Sequence, residues 1–241
     1  MTVTDLVMDF PEISLHEIEA RAQQLIGDYE NHVGRSVAAP IPVESIAEHY
    51  LGYQIDITDE GLFEDPRYLG GIVFDEHVIR VNVSVESHEG RYNFTIAHEI
   101  GHHVLHRDQY LAQRNGEYLG IMCREVSAKP LVERQADQFA SALLMPEDEV
   151  RRAAEAVTIP SGGMSVQALR ATAGRVMRAG GFSNVSNTAM ANRLITLGFA
   201  SGVEYQTGTG IDLMRAARAR LPWGVDAWIW KKAVQMRNLL R

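Results

Sequence analysis

Three things are scarce in this 241-residue sequence: cysteine, long apolar runs and positive net charge. The single cysteine excludes a disulfide within the chain and is typical of a protein of the reducing cytoplasm. No apolar run approaches the ~20 residues that a membrane-spanning helix needs. The sequence begins MTVTDLVMDFPEIS, with acidic residues where a secretory signal would have basic ones. We therefore expect a cytoplasmic protein with no membrane partner.

The formal net charge of −8 argues against broad binding to nucleic acid, but the charge is unevenly distributed. Residues 211–241 carry seven basic residues against two acidic ones, a local charge of +5, which leaves −13 for residues 1–210. Trp223, Trp228 and Trp230 lie in the same segment. We hypothesise that this tail contacts a protein partner or substrate, although a solvated basic helix would have a similar pattern.

The most informative stretch is FTIAHEIGHHVLH, residues 94–106, in which His98, Glu99 and His102 spell H-E-x-x-H. The surrounding apolar residues recur at helical spacing, which predicts a buried helix. Residues four apart share one face of a helix, so His98 and His102 can direct one ring nitrogen each to a single point. Buried imidazoles without partners are costly, and a zinc ion would satisfy both. Glu99 is placed to take a proton from a water at the open position of the metal.

A second predicted helix, LVERQADQFASALLMP at residues 131–146, supplies carboxylates. Glu133 and Asp137 are four residues apart. That spacing lets Glu133 act as the third metal ligand while Asp137 accepts the Nδ1 proton of a ligating histidine. Alone, the pair could be an exposed acidic edge, but after H-E-x-x-H the ligand interpretation is favoured. The expected cofactor is one Zn²⁺ per chain, and the same residues would also accept Mn²⁺.

Together the two motifs resemble those of the ImmA/IrrE family of metallopeptidases, whose pattern is close to FTLAHELGHxxLH followed by ExEAxxFAxxLLMP. The resemblance extends more weakly over roughly residues 40–200. It implies a zinc site similar to that of thermolysin-like gluzincins, with His98, His102 and Glu133 as ligands and Glu99 as the general base. It also implies a cytoplasmic endopeptidase whose protein substrate is a transcriptional regulator, in particular a repressor. One departure is Gln135, where many members have Glu.

The rest of the pattern predicts an α+β fold. A small mixed or antiparallel sheet, with a strand at 53–58 and a hairpin over 72–83, should pack on the H-E-x-x-H helix and the second metal-bearing helix. The C-terminal half is expected to be helical. Further helices are predicted at 14–33, 43–50, 147–157, 165–179, 186–197, 211–221 and 225–240. We predict a zinc metallopeptidase domain with N-terminal helices over residues 1–160 and a helical C-terminal subdomain over residues 161–241.

A different class of function stays open. The metal could stabilise a binding or sensing module whose helical C-terminal half recognises a protein partner or DNA without proteolysis. Three ligands and a base, rather than four ligands, favour the enzyme, and direct DNA binding is the less favoured interpretation. Cys123, in the predicted linker 109–129, could fill the fourth position and silence the site, although an ordinary loop thiol is the plainer interpretation.

The other histidines of this region are not expected to be ligands. His103 points away from the metal face and is predicted to lie on the surface. His106, two turns beyond His98, is predicted to support the site or to pack behind it. The group that stabilises the oxyanion is left open among His88, Tyr92 and His106.

Overall fold

The computed structural model describes residues 10–113, 122–125, 131–159 and 164–200. Helices and a small sheet form an α+β protein, as predicted. The elements in chain order are α1 (Leu15–Val33), α2 (Val43–Ser45), β1 (Gln54–Thr58), β2 (Tyr68–Val73), β3 (Val78–Asn82), α3 (Val83–Glu86), α4 (Glu89–Gln113), β4 (Met122–Glu125), α5 (Leu131–Leu144), α6 (Glu147–Glu155), α7 (Val166–Gly180) and α8 (Asn187–Thr196). A π-helical turn, Ile46–Tyr50, continues α2, and a 3₁₀ turn, Gly61–Glu64, precedes β2.

The sheet is mixed and has the strand order β1-β3-β2-β4. Strands β2 and β3 form the predicted hairpin, with Val73 paired to Val78 at its turn. β1 is parallel to β3, whereas β4 is antiparallel to β2. The prediction of a linker over residues 109–129 is wrong in part, because this stretch contains strand β4. Four residues are too few to show a period of two, and the partner that orders them lies some fifty residues earlier in the chain.

Strand β2 begins at Tyr68, earlier than the predicted hairpin, because Gly70 and Gly71 belong to the strand and not to a loop. A Cβ atom at Gly70 would overlap Thr95 Cγ2 and would lie 2.9 Å from Glu99 Oε1. Only glycine lets the strand approach α4 this closely. The residue that interrupts the strand pattern in the sequence therefore brings the sheet against the H-E-x-x-H motif.

Helix α4 is the central element of the first of two compact units, Met1–Pro146 and Glu147–Arg241. It packs against β2 and β3 and also against α5, which in turn packs on α1. Every residue of α4 from 94 to 102 is buried. At Gly101 a Cβ atom would lie 3.2 Å from both Cα and the carbonyl oxygen of Ala136, so the two helix backbones are in close approach. This crossing carries the two predicted metal-binding motifs.

The second unit contains α6, α7 and α8, and α7 packs against both of the others. Ser165 and Ser186 cap α7 and α8 by accepting hydrogen bonds from the backbone N–H groups of Ala168 and Ala189. The predicted domain boundary between residues 160 and 161 stays a prediction. The tail 211–241, with its hypothetical partner surface, lies outside the described residues. Within the described ranges, no helix combines the length and the apolar character that crossing a bilayer requires.

Candidate metal centre

Three side chains from α4 and α5 converge at the helix crossing: His98, His102 and Glu133. The Nε2 atoms of His98 and His102 are 3.1 Å apart. Glu133 Oε2 lies 3.1 Å from His98 Nε2, and its Oε1 lies 3.2 Å from His102 Nε2. All three residues are buried, and both histidines have no exposed surface. The structure thus brings together the three residues that the sequence predicted as ligands.

The spacing of these atoms fits a small tetrahedral metal ion. Ligand atoms about 2.1 Å from a zinc ion at tetrahedral angles are roughly 3.4 Å apart, close to the observed separations. Burial lowers the pKa of His102 more than the neighbouring Glu133 raises it, so the ring is neutral and can offer a lone pair. Burial raises the pKa of Glu133, but His102 and His98 more than offset this, and the pKa ends below its usual value. The two imidazoles and the ionised carboxylate of Glu133 could therefore hold a divalent cation.

The outer nitrogen of His98 meets the carboxylate that the sequence predicted for it. Nδ1 of His98 is 3.0 Å from Asp137 Oδ1, and both residues are buried. An ionised carboxylate only accepts hydrogen bonds, so Nδ1 of His98 carries the proton and Nε2 carries the lone pair. The tautomer that a metal requires at Nε2 is the one that Asp137 stabilises. A surface position for Asp137, the alternative weighed from the sequence, is wrong.

The outer nitrogen of His102 meets a longer series of polar groups. His102 Nδ1 is 3.1 Å from Nδ1 of His106, whose Nε2 is 2.9 Å from Gln135 Oε1. Gln135 Nε2 in turn donates to the carbonyl oxygen of Pro11 at 3.0 Å. Burial, reinforced by His102, lowers the pKa of His106 to about 3, which keeps this ring neutral. From its position two turns beyond His98, His106 was predicted to support the site or to pack behind it, but no role was predicted for Gln135 or Pro11.

The candidate base Glu99 lies on the side of α4 that faces the sheet, next to the side that carries His98 and His102. It has no exposed surface, and its Oε1 faces the backbone of β2 at Gly70. It is one residue from His98 and three from His102, so it adjoins the three-residue cluster without belonging to it. This is the relation that a base needs if it is to act on a water beside a metal without binding the metal itself.

Four further residues named from the sequence are not members of the three-residue cluster. His103 is half-buried, and its Nδ1 is 2.8 Å from the hydroxyl of Tyr53, so the prediction of a surface position is wrong. Burial lowers the pKa of His103 to about 4. The hydroxyl of Tyr92 donates to Glu44, and His88 is exposed. Cys123 lies in β4, and its side chain falls outside what the structure describes.

Two comparisons with known proteins provide no information about function. No curated protein matches the chain. Among solved structures, a Mycobacterium tuberculosis transcriptional regulator is similar to 74% of this chain at 17% sequence identity with a TM-score of 0.46. The alignment covers 47% of that protein, so this chain spans about half of its length. A likeness at this level carries no inference about fold or function.

A comparison with protein families is informative. Residues 65–157 match the IrrE N-terminal-like domain of the M78 peptidases. The matched range begins just before β2, ends just after α6 and includes α4 and α5 with all three residues of the cluster. The match supports a metallopeptidase and is narrower than the resemblance over roughly 40–200 drawn from the sequence. The match over residues 65–157 supports the resemblance to the ImmA/IrrE family of metallopeptidases that the two motifs indicated.

Proposed function

We propose that this protein is a zinc-dependent endopeptidase that acts in the cytoplasm and cleaves a regulatory protein, with a transcriptional repressor as the substrate class. His98, His102 and Glu133 are the proposed metal ligands, and Glu99 is the proposed general base. Asp137 is proposed to hold the ring of His98. Zn²⁺ is the proposed ion, and Mn²⁺ is the alternative that the same ligand set would accept.

One observation supports the proposal: the Nε2 atoms of His98 and His102 are 3.1 Å apart, and each lies 3.1–3.2 Å from one carboxylate oxygen of Glu133, beside the buried carboxylate of Glu99. A structural zinc site is closed by four protein ligands, whereas a catalytic site keeps one position for water. Among the described residues the cluster has three members. A cluster of three with an adjacent base favours catalysis over a metal that serves folding alone.

A zinc ion in this site would polarise the scissile carbonyl and lower the pKa of a water molecule. The residues of the chain then perform the remaining work. Glu99 accepts the proton of the attacking water on a carboxylate oxygen and returns it to the nitrogen of the leaving amine. Because Glu99 is buried between α4 and β2, bulk water does not compete for this proton. Burial keeps His102 neutral by lowering its pKa, so this ring does not take the proton in place of Glu99.

The sheet offers a place for an extended substrate. Extended peptides commonly add to the edge of a sheet through backbone hydrogen bonds. Strand β4 forms one edge and pairs with β2 at Gly70 and Gly71, next to Glu99. We propose that the substrate chain lies along this end of the sheet, so that its scissile bond faces Glu99. The other edge, β1, is separated from β2 by β3.

The substitution Glu99→Gln tests the proposal, because Gln keeps the size of the side chain and cannot act as a base. We expect normal zinc content and an unchanged melting temperature, with the rate of peptide hydrolysis reduced ~10²–10⁴-fold. The new amino termini can be identified by mass spectrometry in cells that express the wild-type or the Glu99→Gln protein. Cleavage of a transcriptional regulator should occur only with the wild type. Equal cleavage by both proteins would exclude Glu99 as the base, and the absence of any zinc-dependent terminus would refute proteolysis.

A further inference from the structure

The Nδ1 atoms of the two proposed histidine ligands have different hydrogen-bond partners. His98 uses one carboxylate, Asp137. His102 faces another imidazole, His106, which can either donate or accept at each ring nitrogen. A neighbour of this kind does not by itself fix the proton of His102. Whether His102 offers a lone pair at Nε2 therefore depends on what fixes the proton of His106.

The carbonyl oxygen of Pro11 determines which ring nitrogen of His106 carries the proton, because a carbonyl oxygen can only accept a hydrogen bond. The atom of Gln135 that faces it at 3.0 Å must be the amide nitrogen. The other amide atom of Gln135 is then the oxygen, which also can only accept, and it lies 2.9 Å from His106 Nε2. His106 consequently carries its proton on Nε2 and a lone pair on Nδ1. That lone pair accepts the proton of His102 Nδ1 at 3.1 Å, which leaves Nε2 of His102 free for a metal.

We propose that Gln135 and His106 are positioning residues that fix the tautomer of His102, with Pro11 as the fixed end of a directional series of three hydrogen bonds. The inference rests on the metal site proposed above. It gives Gln135 a role that a carboxylate would not fill equally well, because a second carboxylate oxygen would face the carbonyl of Pro11 where an N–H donor is needed. It also connects the segment before α1 to the metal site.

Packing around His106 and Gln135 keeps the three hydrogen bonds aligned. His106 and Gln135 are buried, with 1% and 2% of their surfaces exposed. The ring of Phe10 meets the ring of His106 edge to face, with 5.4 Å between their centroids. His106 is thus held by Phe10 at its side and by hydrogen bonds at both nitrogens. Because water has little access to the pair, loss of Gln135 would leave the Nε2 proton of His106 without an acceptor.

The first experiment measures the tautomers directly in the full-length wild-type protein. Long-range ¹H–¹⁵N NMR distinguishes imidazoles protonated at Nδ1 from those protonated at Nε2. We expect His106 to be the Nε2–H form and His102 to be the Nδ1–H form in zinc-loaded protein. A proton on Nδ1 of His106, or none on Nδ1 of His102, would overturn the inference. This measurement needs no variant for its result, so a variant that fails to fold does not weaken it.

The second experiment compares zinc affinity by chelator competition. Gln135→Met keeps the length of the side chain and removes the acceptor, and we expect about tenfold weaker binding with His106 divided between two tautomers. His106→Phe removes the acceptor of His102 itself and should weaken binding ~10–100-fold. Gln138→Met, on the same helix and outside the series, is the matched control and should bind as the wild type does.

The outcomes separate this inference from the function on which it rests. If the wild type binds zinc and Gln135→Met binds it equally tightly with both tautomers unchanged, the inference is wrong while the metal site stands. If the wild type binds no zinc, the proposed function fails, and this inference fails with it. Equal losses in Gln135→Met and Gln138→Met would mean that α5 is merely sensitive to substitution, which also contradicts the inference.

Discussion

The two buried sides of α4 carry different residues and contact different elements. The side toward α5 carries His98, Gly101 and His102, and it meets carboxylates and the backbone of the neighbouring helix. The side toward the sheet carries Thr95 and Glu99, four residues apart, and it meets β2 at a glycine. Glycine permits close approach on both sides. One approach assembles ligand atoms, and the other places a carboxylate beside a strand.

The proposed metal ligands and the proposed base are therefore positioned by different contacts. His98 and Glu99 are adjacent in sequence, yet one is positioned by α5 and the other by β2. Substitutions on the α5 side should therefore change metal affinity, whereas those on the sheet side should change turnover at saturating metal.

Removal of a ligand should have the largest effect. His98→Ala, His102→Ala and Glu133→Ala each leave two of the three ligand atoms. The binding free energy of a protein zinc site is about 10–16 kcal/mol shared among its ligands, so the loss of one should weaken binding by on the order of 10²–10³-fold. Metal analysis after dialysis checks this. Full metal occupancy in all three variants would show that the cluster is not the metal site. The α5 side of α4 would then have no role in metal binding.

Gly70→Ala should have the next largest effect, and on turnover. The new methyl group would overlap Thr95 and would lie 2.9 Å from Glu99 Oε1, so the carboxylate must move. A displacement of ~1 Å at a catalytic group can cost ~10²-fold, and we expect kcat to fall by nearly that factor on a peptide that the wild type cleaves. Zinc affinity should change little, because the three atoms nearest to the new methyl group belong to Thr95, Glu99 and Arg80, and none of these is a proposed ligand.

Gly101→Ala is the matched variant on the other side of α4. Its methyl group would press on the backbone of Ala136 at 3.2 Å and separate the helices that carry the ligands. We expect weaker zinc binding and lower stability, with kcat at saturating zinc close to that of the wild type. If Gly70→Ala loses zinc, or if Gly101→Ala loses turnover alone, the two sides of α4 are not separable in this way.

More of the contacts on the α5 side of α4 than on its sheet side could be predicted from the sequence. The four-residue spacings of His98 with His102 and of Glu133 with Asp137 predicted the cluster, because helical periodicity alone determines which residues share a face. The predicted hairpin began at residue 72 and left out Gly70, because glycine is required there by the proximity of Thr95 and Glu99, which only the folded chain provides. Pro11 and Gln135 are 124 residues apart, and no local pattern connects them.

Asp137 gives the smallest expected effect and the finest test of the α5 side. Asp137→Ala removes the acceptor of the His98 Nδ1 proton in a buried place, so zinc binding should weaken about tenfold, at the lower end of what such losses cost. Asp137→Asn keeps an oxygen that can accept this proton and removes only the charge, so the affinity should fall less than in the alanine variant. Chelator competition measures both affinities. If Asn weakens binding as much as Ala does, the charge of Asp137 matters and not its role as acceptor. His98 and His102 would then differ in kind, since His106 and Gln135 carry no charge with which to do the same for His102.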